Sequence, residues 1–150
     1  MIAWGAETHT PAEEDAIHER TLSAAAMRAE TANRTTPRDM CQLLRFIWTD
    51  RAASAEGCRH IRSLMARQLT RNRLAAAFPT PARVSAKSGG LLGVYRHEVG
   101  VISYPSGRWY IATVFTRAAS TPHKGEAAIN AAIGQAAAHA IELLESSASA

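Results

Sequence analysis

Residues 84–93 read V-S-A-K-S-G-G-L-L-G, and the fold turns on how they are taken. Val84 to Ser88 has the character of a strand, yet it runs straight into Gly89-Gly90, a pair that strand interiors disfavour. Such a pair marks a bend, a bulge, or a place where another molecule comes close to the backbone. Downstream the strand character persists. Tyr95 to Tyr104 and Trp109 to Arg117 are rich in Val, Ile, Tyr, Phe and Trp, and Pro105-Ser106-Gly107-Arg108 forms a turn between them. Three successive strands predict an antiparallel meander.

Upstream the signals are helical. Thr10-Pro11-Ala12-Glu13 supplies an N-cap, a proline at the first helical position and acidic residues in the first turn, predicting a helix from about Pro11 to Glu30 with a weak apolar face. Thr36-Pro37-Arg38-Asp39 opens a stronger one, with Met40, Leu43, Leu44, Ile47 and Trp48 on one side. A third helix begins near Ser54, with Cys58, Ile61, Leu64, Met65 and Leu69 on one stripe. The last two form a hairpin joined by Asp50 to Ala53, expected as a separate lobe beside Lys87. After the strands, Thr121-Pro122 caps a final helix carrying Ile129, Ile133, Ala137, Ile141 and Leu144 on one side. The fold class is α+β: a helical hairpin, a three-stranded antiparallel meander and a C-terminal helix packed on the sheet. One partial domain is expected over residues 1–145, with 1–32 as a divergent N-terminal segment and Ser146 to Ala150 as a disordered tail.

Composition removes several function classes. At 150 residues and 47% hydrophobic content the chain has the size of one domain. The net charge of +4 comes from 15 Arg and 2 Lys spread along the chain, with no basic run interleaved with aromatics, so no nucleic-acid partner is expected. Arg59, Arg62, Arg67, Arg71 and Arg73 read as the solvated face of a helical pattern. No apolar run reaches the roughly 18 residues of a membrane span, and the first ten residues lack the pattern of an export signal. Cys41 and Cys58 sit beside apolar residues as buried free thiols. The six histidines form no pair at ligand spacing and Gly89, Gly90 and Gly93 fit no nucleotide-binding fingerprint, so neither metal nor cofactor is expected. His97, beside Arg96, is placed where it could touch a ligand.

Taken in order, T-T-P-R-D-M (Thr35 to Met40), the helical hairpin, A-K-S-G (Ala86 to Gly89), an aromatic-Pro-x-Gly turn, V-F-T-R and a last helix resemble the C-terminal half of a class A β-lactamase. The resemblance spans about Asn33 to Leu144. Its anchor is Lys87-Ser88-Gly89, matching the family's K-[ST]-G motif on the strand beside the active site. Such a site must hold a substrate carboxylate while backbone N–H groups stabilise the reacting carbonyl oxygen. The resemblance implies that Lys87 supplies positive potential, Ser88 a hydroxyl to the carboxylate, and the Gly90 N–H one arm of the oxyanion hole. Gly89 and Gly90 let the strand edge lie along the substrate. Arg96 falls where many members keep a second carboxylate-binding arginine.

Other family parts are missing. No serine is followed three residues later by lysine, and there is no S-D-N or Y-x-N triplet. Ser85 and Lys87 share a strand face, but nothing orients them as a dyad. Glu19-Arg20-Thr21-Leu22-Ser23 resembles the deacylating E-x-x-L-N context only loosely, and Glu19 reads as a surface glutamate on an amphipathic helix. The implied substrate is a small β-lactam or related carboxylate-bearing amide. Two functional expectations stand. One is a truncated or split serine hydrolase whose partner is its N-terminal half; the other is a non-catalytic remnant binding partners through an exposed sheet edge. Cellular location stays open, because the family is usually exported and no signal is present in these residues.

Overall fold

The computed structural model describes residues 10–28, 30, 34–91, 94–118 and 125–148. The chain divides into two compact units, Met1–Thr35 and Thr36–Ala150. In the first, α1 (Pro11–Ser23) starts at a full capping box: Glu13 N–H donates to Thr10 Oγ1, and Glu13 Oε2 accepts from the Thr10 amide at 2.7 Å. The Thr10 amide and hydroxyl, both donating to Glu13 Oε2, lower the pKa of the Glu13 carboxyl from its ordinary value. No residue of α1 is buried, and it ends at Ser23 with one 3-10 turn at Ala25–Met27, short of the expected Glu30. A helix without an apolar stripe has little beyond its caps to extend it.

The second unit holds α2 (Pro37–Trp48), α3 (Ala55–Ala66), α4 (Leu74–Ala77), β1 (Arg83–Leu91), β2 (Tyr95–Ser103), β3 (Trp109–Arg117) and α5 (Glu126–Ala148). Thr36 and Ser54 cap α2 and α3 by accepting the Asp39 and Gly57 amides at 3.1 Å. The strands form an antiparallel sheet in the order β1-β2-β3, with Lys87 opposite Val99 and Val99 opposite Thr113. At the expected turn, the Tyr104 amide donates to Arg108 O at 2.9 Å, and Gly107 takes φ 83°, which only glycine adopts freely.

Strand alternation splits the apolar residues between two faces. Val99, Val101, Ile111 and Phe115 meet Leu44, Ile47 and Met65 of α2 and α3. Val84, Ala86, Ile102 and Ala112 meet Leu74, Phe78, Ile133, Ala137 and Ile141 of α4 and α5. The helical hairpin is therefore a layer on the sheet rather than the separate lobe expected. Both faces of the central strand are apolar, and each needs a cover. Leu69, expected on the α3 stripe, is 96% exposed, because α3 stops at Ala66 and the period no longer places it.

α4 escapes the sequence signals and fixes how close α5 can come. A Cβ built on Gly134 of α5 would lie 2.7 Å from the Arg73 carbonyl oxygen and 2.9 Å from Ala77 Cβ. Gly134→Val is expected to lower unfolding free energy by about 2 kcal/mol, because the obstructing carbonyl cannot rotate aside. An unchanged urea midpoint would show that α5 shifts at no cost.

α5 runs to Ala148, so Ser146 to Ala148 are helical where a disordered tail is expected; the Ser146 and Ser147 hydroxyls donate to Leu143 O at 2.9 and 2.8 Å. Ser149 and Ala150, and the expected cap at Thr121-Pro122, lie outside the described residues. Among those described, no helix is long and apolar enough to cross a membrane.

Candidate active site

β1 passes through Gly89 and Gly90 without a break: Gly89 pairs with His97, Gly90 with Arg96 and Leu91 with Tyr95. Of the three explanations for the glycine pair, bend and bulge do not occur. The register also sorts the expected site residues. Ser88, Gly90 and Arg96 fall on the α5 face of the sheet, whereas Lys87, opposite Val99, falls on the α2/α3 face. Lys87 is exposed, and its Nζ donates to the Ser88 carbonyl oxygen.

Backbone direction can be read from one bond. Ser88 N–H donates to Gln68 Oε1 at 2.5 Å, so this amide points away from β2 toward the outer edge of the sheet. In an antiparallel strand alternate residues point their amides the same way, which directs the Gly90 N–H to that edge too. A side chain at 90 would press on β2, since a Cβ there would sit 3.1 Å from Tyr95 O.

Arg96 already has a partner. Its Nη1 lies 2.7 Å from Glu126 Oε1 at the start of α5, while its buried Nε has no hydrogen-bond partner. His97 is a tie within the sheet: its Nδ1 accepts the Thr116 amide at 3.1 Å, and its ring lies 4.8 Å from that of Phe115. Glu19 is exposed on α1, in the first unit.

Beneath the strand lies a polar frame for which the sequence reading has no place. Arg73, expected on a solvated face, is 8% exposed. Its Nε donates to Asn130 Oδ1 at 2.9 Å, and its Nη1 donates to Gly89 O at 3.1 Å and His97 O at 2.8 Å. The physical reason is that α3 has ended before it, so the helical period that would have exposed Arg73 no longer applies. Arg62 is also engaged, bonding Asp50 Oδ1 at 2.8 Å and Ile47 O across the hairpin, while Arg59, Arg67 and Arg71 are exposed as expected. Glu98 is fully buried and accepts from Gln68 Nε2 at 2.6 Å and from the Leu74 amide at 2.7 Å. Two signals point to this frame. Glu98 interrupts an apolar strand, and Asn130 lies on the same helical stripe as Ile133, Gly134 and Ala137.

Cys58 is buried and Cys41 half-buried, its Sγ 3.3 Å from Thr113 Oγ1; both are free thiols. Among the described residues no group of three His, Cys, Asp or Glu is placed to hold a metal ion.

A three-stranded antiparallel meander covered by helices, with Lys87-Ser88-Gly89 on its edge strand, is a β-lactamase-like fold. The chain belongs to the β-lactamase enzyme family, whose model matches residues 1–142. It is 37% identical over 97 residues to the β-lactamase regulatory protein BlaB of Streptomyces cacaoi, a match covering 57% of this chain and 31% of that protein. Among solved structures it is similar to a β-lactamase from Sphaerobacter thermophilus, at 31% identity and TM-score 0.62, over 77% of this chain and 44% of that one. It shares the fold of PBP-A at 20% identity and TM-score 0.64, over 88% of this chain and 50% of that one. The chain thus spans half or less of the length of these relatives.

Proposed function

We propose that this chain is the carboxylate-recognising part of a class A-type serine hydrolase, cleaving β-lactam amides through an acyl-serine intermediate whose serine comes from outside these 150 residues. The observation that carries the reading is the register that gathers Ser88 and Gly90 of the edge strand and Arg96 of its neighbour on one face of the sheet. Ser88 offers a hydroxyl to the substrate carboxylate, with Arg96 as a second cation. The Gly90 N–H is one donor toward the carbonyl oxygen as charge develops on it. Lys87, from the other face, adds positive potential at the groove where a nucleophile would stand. Glu126 does not block this role: at 59% side-chain exposure it can turn to solvent, and a ligand carboxylate can take its place on Arg96, whose own side chain is only 12% exposed.

The acylation step forms a bond from the serine oxygen to the β-lactam carbonyl carbon and breaks the amide C–N bond, the serine's proton passing to the nitrogen; water then cleaves the ester and restores the serine hydroxyl. Nothing in these residues matches the family's nucleophile motif. Serine hydrolases without their nucleophile keep only about 10³–10⁴-fold catalysis over water, and that remainder needs a whole oxyanion hole. The purified chain is therefore expected to show no hydrolysis of a chromogenic cephalosporin. Turnover abolished by Lys87→Ala would sink this reading.

A second reading rests on the Streptomyces cacaoi relative, which is named as a β-lactamase regulatory protein. A chain using the same strand to bind without turnover fits that name, and binding of penicillin G with no product formed, even when an N-terminal half is supplied, would favour it.

A further inference from the structure

Beside the candidate ligand face stands a buried carboxylate that no catalytic role accounts for. Glu98 is inaccessible to solvent and no lysine or arginine forms a salt bridge with it among the described residues, yet both its oxygens are engaged. Burying a carboxylate is costly unless its bonds are complete, so what it bonds to matters. One partner is the Leu74 amide at the start of α4; the other is Gln68.

Gln68 is completely specified by its surroundings. Its Nε2 donates to Glu98 Oε1 at 2.6 Å and to Thr70 O at 2.7 Å. Glu98 Oε1 and the Thr70 carbonyl oxygen both accept here, so the amide has one permitted orientation, and Oε1 is left to face the Ser88 N–H. The chain Leu74 N–H to Glu98, Gln68 to Glu98, and Ser88 N–H to Gln68 thus sets the position of the β1 outer edge from inside the protein.

We infer that Glu98 is a positioning residue for the ligand-facing edge of β1, acting through Gln68 on Ser88 and on the Gly90 amide beyond it; this rests on the reading of that edge as the carboxylate and oxyanion site. That both Glu98 oxygens accept is essential to the device. In Glu98→Gln one side-chain oxygen can satisfy the Leu74 amide, but the new NH₂ then faces Gln68 Nε2, donor against donor. Gln68 must turn, and its own NH₂ then opposes the Ser88 N–H.

The test reads the Ser88 amide directly in the full 150-residue chain by hydrogen exchange and ¹⁵N shifts, with penicillin G as the probe. Glu98→Gln and Gln68→Ala are each expected to speed Ser88 exchange on the order of tenfold, leaving Val101 and Ala112 in the core unchanged. Both should weaken the penicillin-induced shifts at Ser88 and Gly90 by about the same factor. The exchanged pair, Gln68→Glu with Glu98→Gln, restores acceptors for both the Leu74 and Ser88 amides, at the cost of setting a carboxylate oxygen against Thr70 O in place of its donor. It should recover most of the protection, which a merely space-filling role for Glu98 does not predict. Should Glu98→Gln not fold, Gln68→Ala at the half-buried position carries the same test. Unchanged Ser88 exchange in the folded variants overturns the inference whatever penicillin does. Faster exchange with no penicillin shift at Ser88 or Gly90 in the parent sinks the reading of the site, and with it the ligand-directed part of the inference.

Discussion

Arg73→Leu is expected to cost the C-terminal unit on the order of 3–4 kcal/mol, the largest loss from any single arginine of the chain. Leucine fills most of the volume but donates nothing. Asn130 Oδ1 is left buried without its donor, and Gly89 O and His97 O lose the guanidinium that ties the end of the β1–β2 ladder to α5. Buried polar groups stripped of a charged partner typically cost about 1–3 kcal/mol each, and the ladder carbonyls keep some compensation from the sheet. For a unit of this size the thermal midpoint should fall by about 10–20 °C. Arg73→Lys should recover little, since one ammonium cannot span the fork geometry that reaches both α5 and two strands. Arg59→Leu, at an exposed position, is the control and should be nearly neutral. Equal midpoints for Arg59→Leu and Arg73→Leu in thermal melts would refute the assignment.

Complementation gives the second large effect. Supplying an N-terminal half from a relative, with S-x-x-K and S-D-N, is expected to assemble an enzyme that hydrolyses a chromogenic cephalosporin. In it, Lys87→Ala should lower kcat/KM by on the order of 30- to several-thousand-fold. A charged group facing a desolvated carboxylate site typically contributes about 2–5 kcal/mol once water has been excluded. Lys87 is exposed in this chain and acquires that environment only when the groove closes over it. Arg96→Ala should raise KM for carboxylate-bearing substrates with less effect on kcat. Arg59→Ala should change neither. An assembled enzyme in which Lys87→Ala matches the parent would remove Lys87 from the site.

The parts of the fold legible in the sequence are those carried by local signals. Thr36-Pro37 and Ser54 mark the starts of α2 and α3, and the turn at Gly107 separates two strands of nine residues. Each depends on chemistry within a few positions. The polar frame shows in the sequence only as polar residues in apolar settings, and its pairings are illegible for the opposite reason. Arg73 and Asn130 are 57 positions apart, and Gln68 and Glu98 are 30 apart. No periodicity relates such pairs, and an arginine among arginines looks solvated until the end of α3 is known. Likewise the K-S-G motif identifies the edge strand, but only the register shows that Ser88 and Arg96 share a face while Lys87 does not. The carboxylate of Glu126 on Arg96 joins two elements whose contact no local pattern encodes.

Among the described residues each strand of the sheet pairs only with its neighbours in sequence, and the helix that closes the α5 face follows all three strands. In kinetic terms this is an architecture of short loops. The entropy of loop closure is incurred in small steps, and the ladder needs no distant segment before its first contacts are rewarded. A nascent polypeptide of this topology can register β1 on β2 and β2 on β3 as they emerge, leaving α5 to dock on a surface already formed. A segment that carries its own strand pairing in sequence order can be detached, duplicated or joined to another without first having to solve its folding again.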